Sequence, residues 1–364
     1  MYKKIKKSSP KAAALFLGVL VFVGAAALAS TIASPKLSFI RGVEQMTQGP
    51  VTLDKTAYDK RLLALGHVAT SSPWYTAFLQ GTTTASTTEP RPHWPVKTAY
   101  PNAGALLPFN RIVAYYGNFL SKGMGVLGQY PPEIMLQKLA STTQEWRAAD
   151  PSTPVIPAIH LIVVTAQASA GVDGMYRARM SDALVNKALT LASEIHGIVF
   201  LDFQVGLSTV QKELPQYAKY FAMPNVHVGV DPEFSMKDGV PPGREIGVFD
   251  ASDINWVSNY LAGIVQANHV PPKILVIHRF TADMLTRYRN IASVPEVQIV
   301  VDMDGWGSQQ KKIGTYTHVV AAEPVQFTGF KLFYKNDLLP PSSGLLTPSQ
   351  VLELTPAPIY IQYQ

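Results

Sequence analysis

The sequence predicts an α/β protein: a single (β/α)8 barrel of the TIM type, preceded by an N-terminal export or anchor helix and an irregular linker. Three observations predict it. From Arg111 onward, short runs rich in Val and Ile alternate with stretches of helical spacing, the pattern of a parallel sheet covered by helices on its outer face. Eight such runs fall within about 255 residues, the usual length of such a barrel. The glycine-rich phosphate turn that opens a doubly wound sheet is missing, because the first run ends in Tyr115-Tyr116-Gly117-Asn118-Phe119.

Three regions follow from this reading. Residues 1–34 are expected to be a signal peptide or transmembrane anchor. Lys3, Lys4, Lys6, Lys7 and Lys11 precede an uncharged run from Ala12 to Ser34, long enough to span a bilayer as a helix, while Ala27-Leu28-Ala29 fits the small-x-small cleavage rule. The chain is therefore expected to be exported, either anchored in the membrane facing outward or secreted after cleavage near Ala29. Residues 35–108 are expected to be a linker or extension with one helix over Leu53–Val68 and a low-complexity stretch from Thr82 to Pro92. Trp74, Tyr75, His93 and Trp94 are expected to pin this extension onto the main domain. Residues 109–364 are the barrel.

Its strands are expected at Ile112–Gly117, Val155–Val164, Gly197–Gln204, Val226–Asp231, Glu245–Asp250, Lys273–His278, Val297–Asp302 and Phe327–Tyr334. Helices are expected at Pro132–Ala149, Ser181–His196, Ser208–Phe221, Ser252–Asn268 and Ala282–Ile291, several opened by a Ser, Asp or Pro. The last residues, Pro358–Gln364, are either a further strand or a tail sealing the barrel bottom.

Composition narrows the function. The chain has 47% apolar and 15% charged residues, so it can bury a large core. The five leader lysines account for most of its net charge of +6, so no nucleic-acid partner is expected. With no cysteine, disulfides, thiolate metal sites and lipid anchoring are excluded. No Gly-x-Ser-x-Gly elbow, His-Glu-x-x-His pair or phosphate loop occurs, and neither a cofactor nor a bound metal is expected.

Reactive groups of a barrel enzyme gather at the C-terminal ends of its strands. Here those ends carry Asp202, Asp231 with Glu233, Asp250, His278, and Asp302 with Asp304. From Asn225 to Met236, period-two geometry aims His227, Gly229, Asp231 and Glu233 at the same face, while Pro232 stops the ladder. Such an acid-rich rim suits protonation of a leaving group by one carboxyl and water activation or cation stabilisation by another. The expected catalytic residues are Glu233 as general acid, Asp231 as its modulator, and Asp202 or Asp302 as the second carboxylate. The expected substrate contacts are Tyr115, Tyr116, Gln204, His278, Asp304, Trp306, Lys331 and Tyr334, with Phe333 in the same aromatic group and Asn118 and Gln326 as further hydrogen-bonding candidates. His160 reads as a core histidine. Asp250 or Asp253 can instead cap the following helix, and Asp302-Met303-Asp304-Gly305 can be read as an incomplete cation clamp.

Asp231-Pro232-Glu233 resembles part of the acid motif of chitinase-type barrels, in which the Glu is the general acid and the Asp behind it tunes its pKa; the longer acidic run is replaced by Val228-Gly229-Val230. More broadly, Tyr115-Tyr116-Gly117, Met124 to Gly128, Asp202 to Gly206, Asp231 to Phe234, Val301 to Gly305, Val325 to Lys331 and Tyr360 to Gln364 resemble an uncharacterised family of exported bacterial proteins, several of them lipoproteins, with a glycoside-hydrolase-like barrel. That resemblance implies export and fold rather than a reaction. The expected function is action on a cell-envelope or environmental glycan, with carbohydrate as the partner and the membrane as a second one if the leader is uncleaved. The alternatives are a non-catalytic glycan-binding or envelope scaffold protein, and a metal-dependent phosphoesterase in which Asp302, Asp304 and a histidine converge.

Overall fold

The computed structural model describes residues 52–88 and 90–364; the expected leader lies outside the described residues. Eight parallel strands close into a barrel. They are β1 (Arg111–Gly117), β2 (Val155–Ala166), β3 (Ile198–Phe203), β4 (Val226–Val230), β5 (Lys273–Arg279), β6 (Val297–Met303), β7 (Phe327–Leu332) and β8 (Tyr360–Tyr363). Closure is direct, because β1 pairs with β2 on one side and with β8 on the other, in registers such as Val113 to Pro157 and Val113 to Ile361.

Three expected elements are corrected. Glu245–Asp250 is not a barrel strand: Arg244, Glu245 and Ile246 are exposed, and only Phe249–Asp250 pairs, with Leu285–Thr286. The eighth strand is instead Tyr360–Tyr363, so the C-terminal residues complete the wall. Ala282–Ile291 is not one helix but two short 3-10 turns flanking Leu285–Thr286. Ser208–Phe221 is also broken, into Val210–Glu213, a 3-10 turn at Leu214–Tyr217, and Ala218–Phe221, with Pro215 inside it removing a helical donor.

Long helices pack where their sequences carry both a start signal and an apolar stripe. In the extension lie α1 (Lys55–Leu65) and α2 (Pro73–Leu79). Helix α3 (Pro132–Ala149) begins with prolines, has Glu133 in its first turn and buries Met135, Leu139, Thr142 and Trp146, spaced at three and four residues along one face. Helix α4 (Asp182–Glu194) buries Val185, Ala188 and Leu191 in the same way. Helix α5 (Ala251–Asn268) opens with a capping box between Asp250 and Asp253, so Asp250 serves as a helix cap.

Successive strand residues face opposite ways, and this divides the apolar residues in two. Outward ones such as Val113, Leu161, Leu201, Val228 and Ile277 meet the helices. Inward ones such as Ile112, Ala158, Phe200, Val276 and Val300 pack with Tyr58, Leu62, Leu63 and Leu107 of the extension. The extension thus continues the barrel's own interior core. Its pinning residues behave accordingly: Trp94 is buried and donates its indole N–H to the Ala321 carbonyl at 2.8 Å, Tyr75 is half-buried, and His93 is exposed. Thr82 to Pro92 carries no regular secondary structure over its described residues.

Candidate functional site

Above the apolar interior the inward positions turn polar. Tyr116, His160, Asp202, His278, Asp302 and Gln362 are all buried there, and two inward positions are glycine. A Cβ at Gly329 would meet Asp302 Oδ1 at 2.5 Å, and one at Gly229 would meet Asp202 Oδ1 at 2.3 Å. These glycines leave the space that the carboxylates occupy.

Over this layer opens a cleft of about 620 Å³ lined by Tyr116, Gln204, Asp231, Glu233, Asp304, Trp306 and Lys331, with Phe234, Phe280 and Phe333. Glu233 is held there by its backbone. After β4, Asp231 caps a 3-10 turn over Pro232–Phe234 and accepts the Glu233 N–H at 3.2 Å. Gly247 donates to the Glu233 carbonyl at 2.7 Å and Gly206 to the Phe234 carbonyl at 2.8 Å. The segment Glu245–Asp250, expected as a strand, therefore backs this turn. A Cβ at Gly247 would come 2.6 Å from the Pro232 carbonyl, so only glycine approaches this closely.

The carboxyls of the site have divergent protonation. Burial raises Glu233 to about 7, assisted by the negative charge of Asp304 and opposed by Lys331 and His278. Asp231 lies well above the usual carboxylate range, first because it is buried and then because Glu233, Asp202 and Asp304 are near. Among the described residues its oxygens accept from neutral donors, the Glu233 N–H and the Gln204 amide, each at 3.2 Å. Asp304 goes the other way. Burial opposes its ionisation, but Lys331 Nζ at 2.9 Å and His278 Nδ1 at 3.2 Å hold it below its ordinary value. The cleft therefore presents a carboxylic acid and a carboxylate side by side in function, with Lys331 also lying 3.9 Å from the Tyr116 ring centroid.

Several expected site residues lie elsewhere. Tyr115 and Tyr334 face outward, joined by their hydroxyls at 3.0 Å and packed with Tyr363 against α3. They touch the helix layer, since the parity that puts Tyr116 inside puts Tyr115 outside. Asp202 and Asp302 are fully buried and do not line the cleft; the second carboxylate at its wall is Asp304. His278 also lies beneath the cleft, its Nδ1 3.5 Å from Asp302 and 3.2 Å from Asp304, so the convergence required by the phosphoesterase alternative is partly present. Asn118 donates to the Ile162 carbonyl. Gln326 accepts the Ile299 N–H and reaches Thr98, away from the cleft. The apolar lining residues Phe234 and Phe280 were not singled out by sequence, although each directly follows a strand-end group, Glu233 or Arg279.

Among the described residues, one group has metal-ligand character: His160, Asp202 and His278, whose ligating atoms lie within 4.8 Å of one another.

The fold and cleft define a class, a closed (β/α)8 barrel with an acid and a carboxylate at the mouth. No family model matches the sequence, and no curated protein matches it. Among solved structures the chain is similar to one titled Cellulase Cel5C_n, at 12% identity and a TM-score of 0.34, over 65% of this chain and 69% of that one. At that level the likeness carries no argument about the reaction.

Proposed function

We propose that the protein is an exported glycoside-hydrolase-like enzyme acting on a cell-envelope or environmental glycan, with Glu233 as general acid. The observation that carries this reading is the state of Glu233: a carboxyl raised to about 7, lining an open cleft, with no side-chain partner among the described residues. A group poised near neutrality can hold a proton in the resting site and release it to a glycosidic oxygen as the bond breaks. Asp304, kept ionised by Lys331, supplies the complementary negative charge for a cationic sugar ring or for activating water. Asp231 positions the Glu233 backbone, and burial, by raising its pKa, lessens the charge it sets against Glu233.

Half-exposed Trp306 and the ring of Phe280 give the cleft apolar surfaces suited to the faces of a sugar, and Gln204 and Lys331 offer hydroxyl-directed hydrogen bonds. The leader-like composition of residues 1–34 supports placing this chemistry outside the cytoplasm.

The engagement of Asp304 by both Lys331 and His278 favours one alternative, a glycan-binding protein without turnover. Hydrolysis of a panel of envelope and plant glycans by wild type and Glu233→Gln separates the two. Release of reducing ends by wild type and its loss in the variant, with glycan binding retained, is the expected result. Binding without release by either protein replaces the enzyme with the binder, and equal hydrolysis by both removes Glu233 from the mechanism.

A further inference from the structure

We propose that His160, His278 and Asp202 bind one divalent transition-metal ion inside the barrel, directly beneath the cleft. The three side chains come from three strands, β2, β5 and β3, and are fully buried. His160 Nε2 and His278 Nε2 each lie 3.4 Å from the same oxygen, Asp202 Oδ1. None of these three atoms makes a hydrogen bond, and leaving such groups unpaired in an interior is costly. A separation of 3.4 Å is long for an N–H···O bond. It does match the ligand-to-ligand edge of a near-tetrahedral site with bonds of about 2.1 Å.

The remaining atoms of the same side chains are engaged in the manner of a metal site's outer shell. His160 Nδ1 lies 2.5 Å from the Tyr360 hydroxyl and 3.1 Å from the Gln362 side-chain amide, whose oxygen has no partner among the described residues; with that amide turned so that its oxygen faces His160, Nδ1–H donates to it and Nε2 keeps its lone pair toward the cluster. His278 Nδ1 faces the Asp304 and Asp302 carboxylates and keeps its proton there, so an ion bound at Nε2 would take the place of the second proton that the imidazolium otherwise carries. Asp202 Oδ2 accepts the Tyr116 hydroxyl at 2.9 Å, which leaves Oδ1 free. Outer contacts of this kind fix ring tautomers and aim the inner atoms at an ion. Two imidazoles and one carboxylate suit zinc, iron, cobalt or nickel rather than magnesium or calcium, which take oxygen ligands. Gly229 provides the room, since a methyl there would sit 2.4 Å from His160 Nε2 as well as against Asp202.

The inference is independent of glycan turnover, and its test uses no activity. The full chain is stripped with a chelator in mild denaturant, refolded, and titrated with Co²⁺ alone. Wild type is expected to take up one equivalent with the visible absorption of a four- or five-coordinate nitrogen and oxygen set, and to keep it through rapid desalting against a chelator. His160→Gln and Asp202→Asn should weaken binding at least about 100-fold, Tyr360→Phe about 10-fold, and His93→Gln, an exposed histidine, not at all. No uptake by wild type overturns the site, as does equal uptake by His160→Gln and Asp202→Asn, which would mark an adventitious ion on surface histidines. Should the buried variants fail to fold, wild type loaded with Cu²⁺ decides: hyperfine coupling to two imidazole nitrogens supports the site, and coupling to one or none overturns it.

Discussion

Gly229 lies so close to Asp202 that a methyl group on it would come within 2.3 Å of Oδ1. The carboxylate is fully buried and tied to Tyr116, so it has nowhere to withdraw. Gly229→Ala is therefore expected to destabilise the protein by about 1–3 kcal/mol through overpacking. Gly263, on the exposed side of α5 with nothing near its missing Cβ, provides the contrast. There Ala should stabilise by about 0.5–1 kcal/mol by helix propensity alone. Urea midpoints of the two variants should move in opposite directions, and a neutral Gly229→Ala would refute the crowding described.

The same pair shows what could be read from sequence and what could not. Parity within Val226–Asp231 places Gly229 inside the barrel, and the ends of α3 follow from Pro132 and Asp150. Which carboxylate fills the space beside Gly229 depends on register between strands, because Asp202 stands opposite Gly229 only once β3 and β4 are aligned. The convergence of His160 and His278 on Asp202 is of this kind, assembled from three strands with no short spacing to announce it. The final strand was obscured for another reason. Tyr360-Ile361-Gln362-Tyr363 is short and follows Pro356 and Pro358, whereas Glu245 to Asp250 has the right composition but an exposed start at Glu245 and Ile246.

Glu233→Gln should make the protein more stable in mild alkali while removing its proposed acid. A carboxyl whose folded pKa is raised contributes stability that is fully present below its unfolded pKa and lost as pH rises through the folded value. For Glu233 that window runs from about 4.5 to about 7. At pH 8 the wild type carries a buried charge that the amide avoids, so the variant should gain of order 1–3 kcal/mol. At pH 4 the gain should vanish. Thermal unfolding at both values is the measurement, and an equal gain at both would point to packing rather than to the charge.

If Glu233 donates the proton, kcat/KM for glycan hydrolysis should fall above about pH 7, tenfold for each further pH unit. Asp304 is one of the charges holding that proton in place. Asp304→Asn removes it and leaves Lys331 unneutralised, and both changes favour the ionised form of Glu233, so the alkaline limb should move to lower pH. Lys331→Met should move it to higher pH, because the cation that lowers the Glu233 pKa is lost and Asp304 keeps only His278 as a partner among the described residues. Opposite shifts of the limb, read from pH–rate profiles, would tie it to Glu233; an alkaline limb unmoved in both variants would assign it to another group.

The extension can be tested by the same logic as any core element. Leu63 is 1% exposed on α1 and belongs to the cluster that includes Ile112, Phe200 and Val300 from inside the barrel. A helix that merely rested on the surface would lose little when one leucine is shortened. Leu63→Ala removes three methyl(ene) groups from a packed interior and leaves a cavity, which costs about 2–5 kcal/mol. Because those contacts are shared with the barrel, the whole of residues 52–364 should lose stability in one cooperative transition. Urea unfolding followed in parallel by tryptophan fluorescence and far-ultraviolet circular dichroism checks this. A separate early transition, with the main midpoint unchanged, would make the extension an appendage instead of the floor of the barrel.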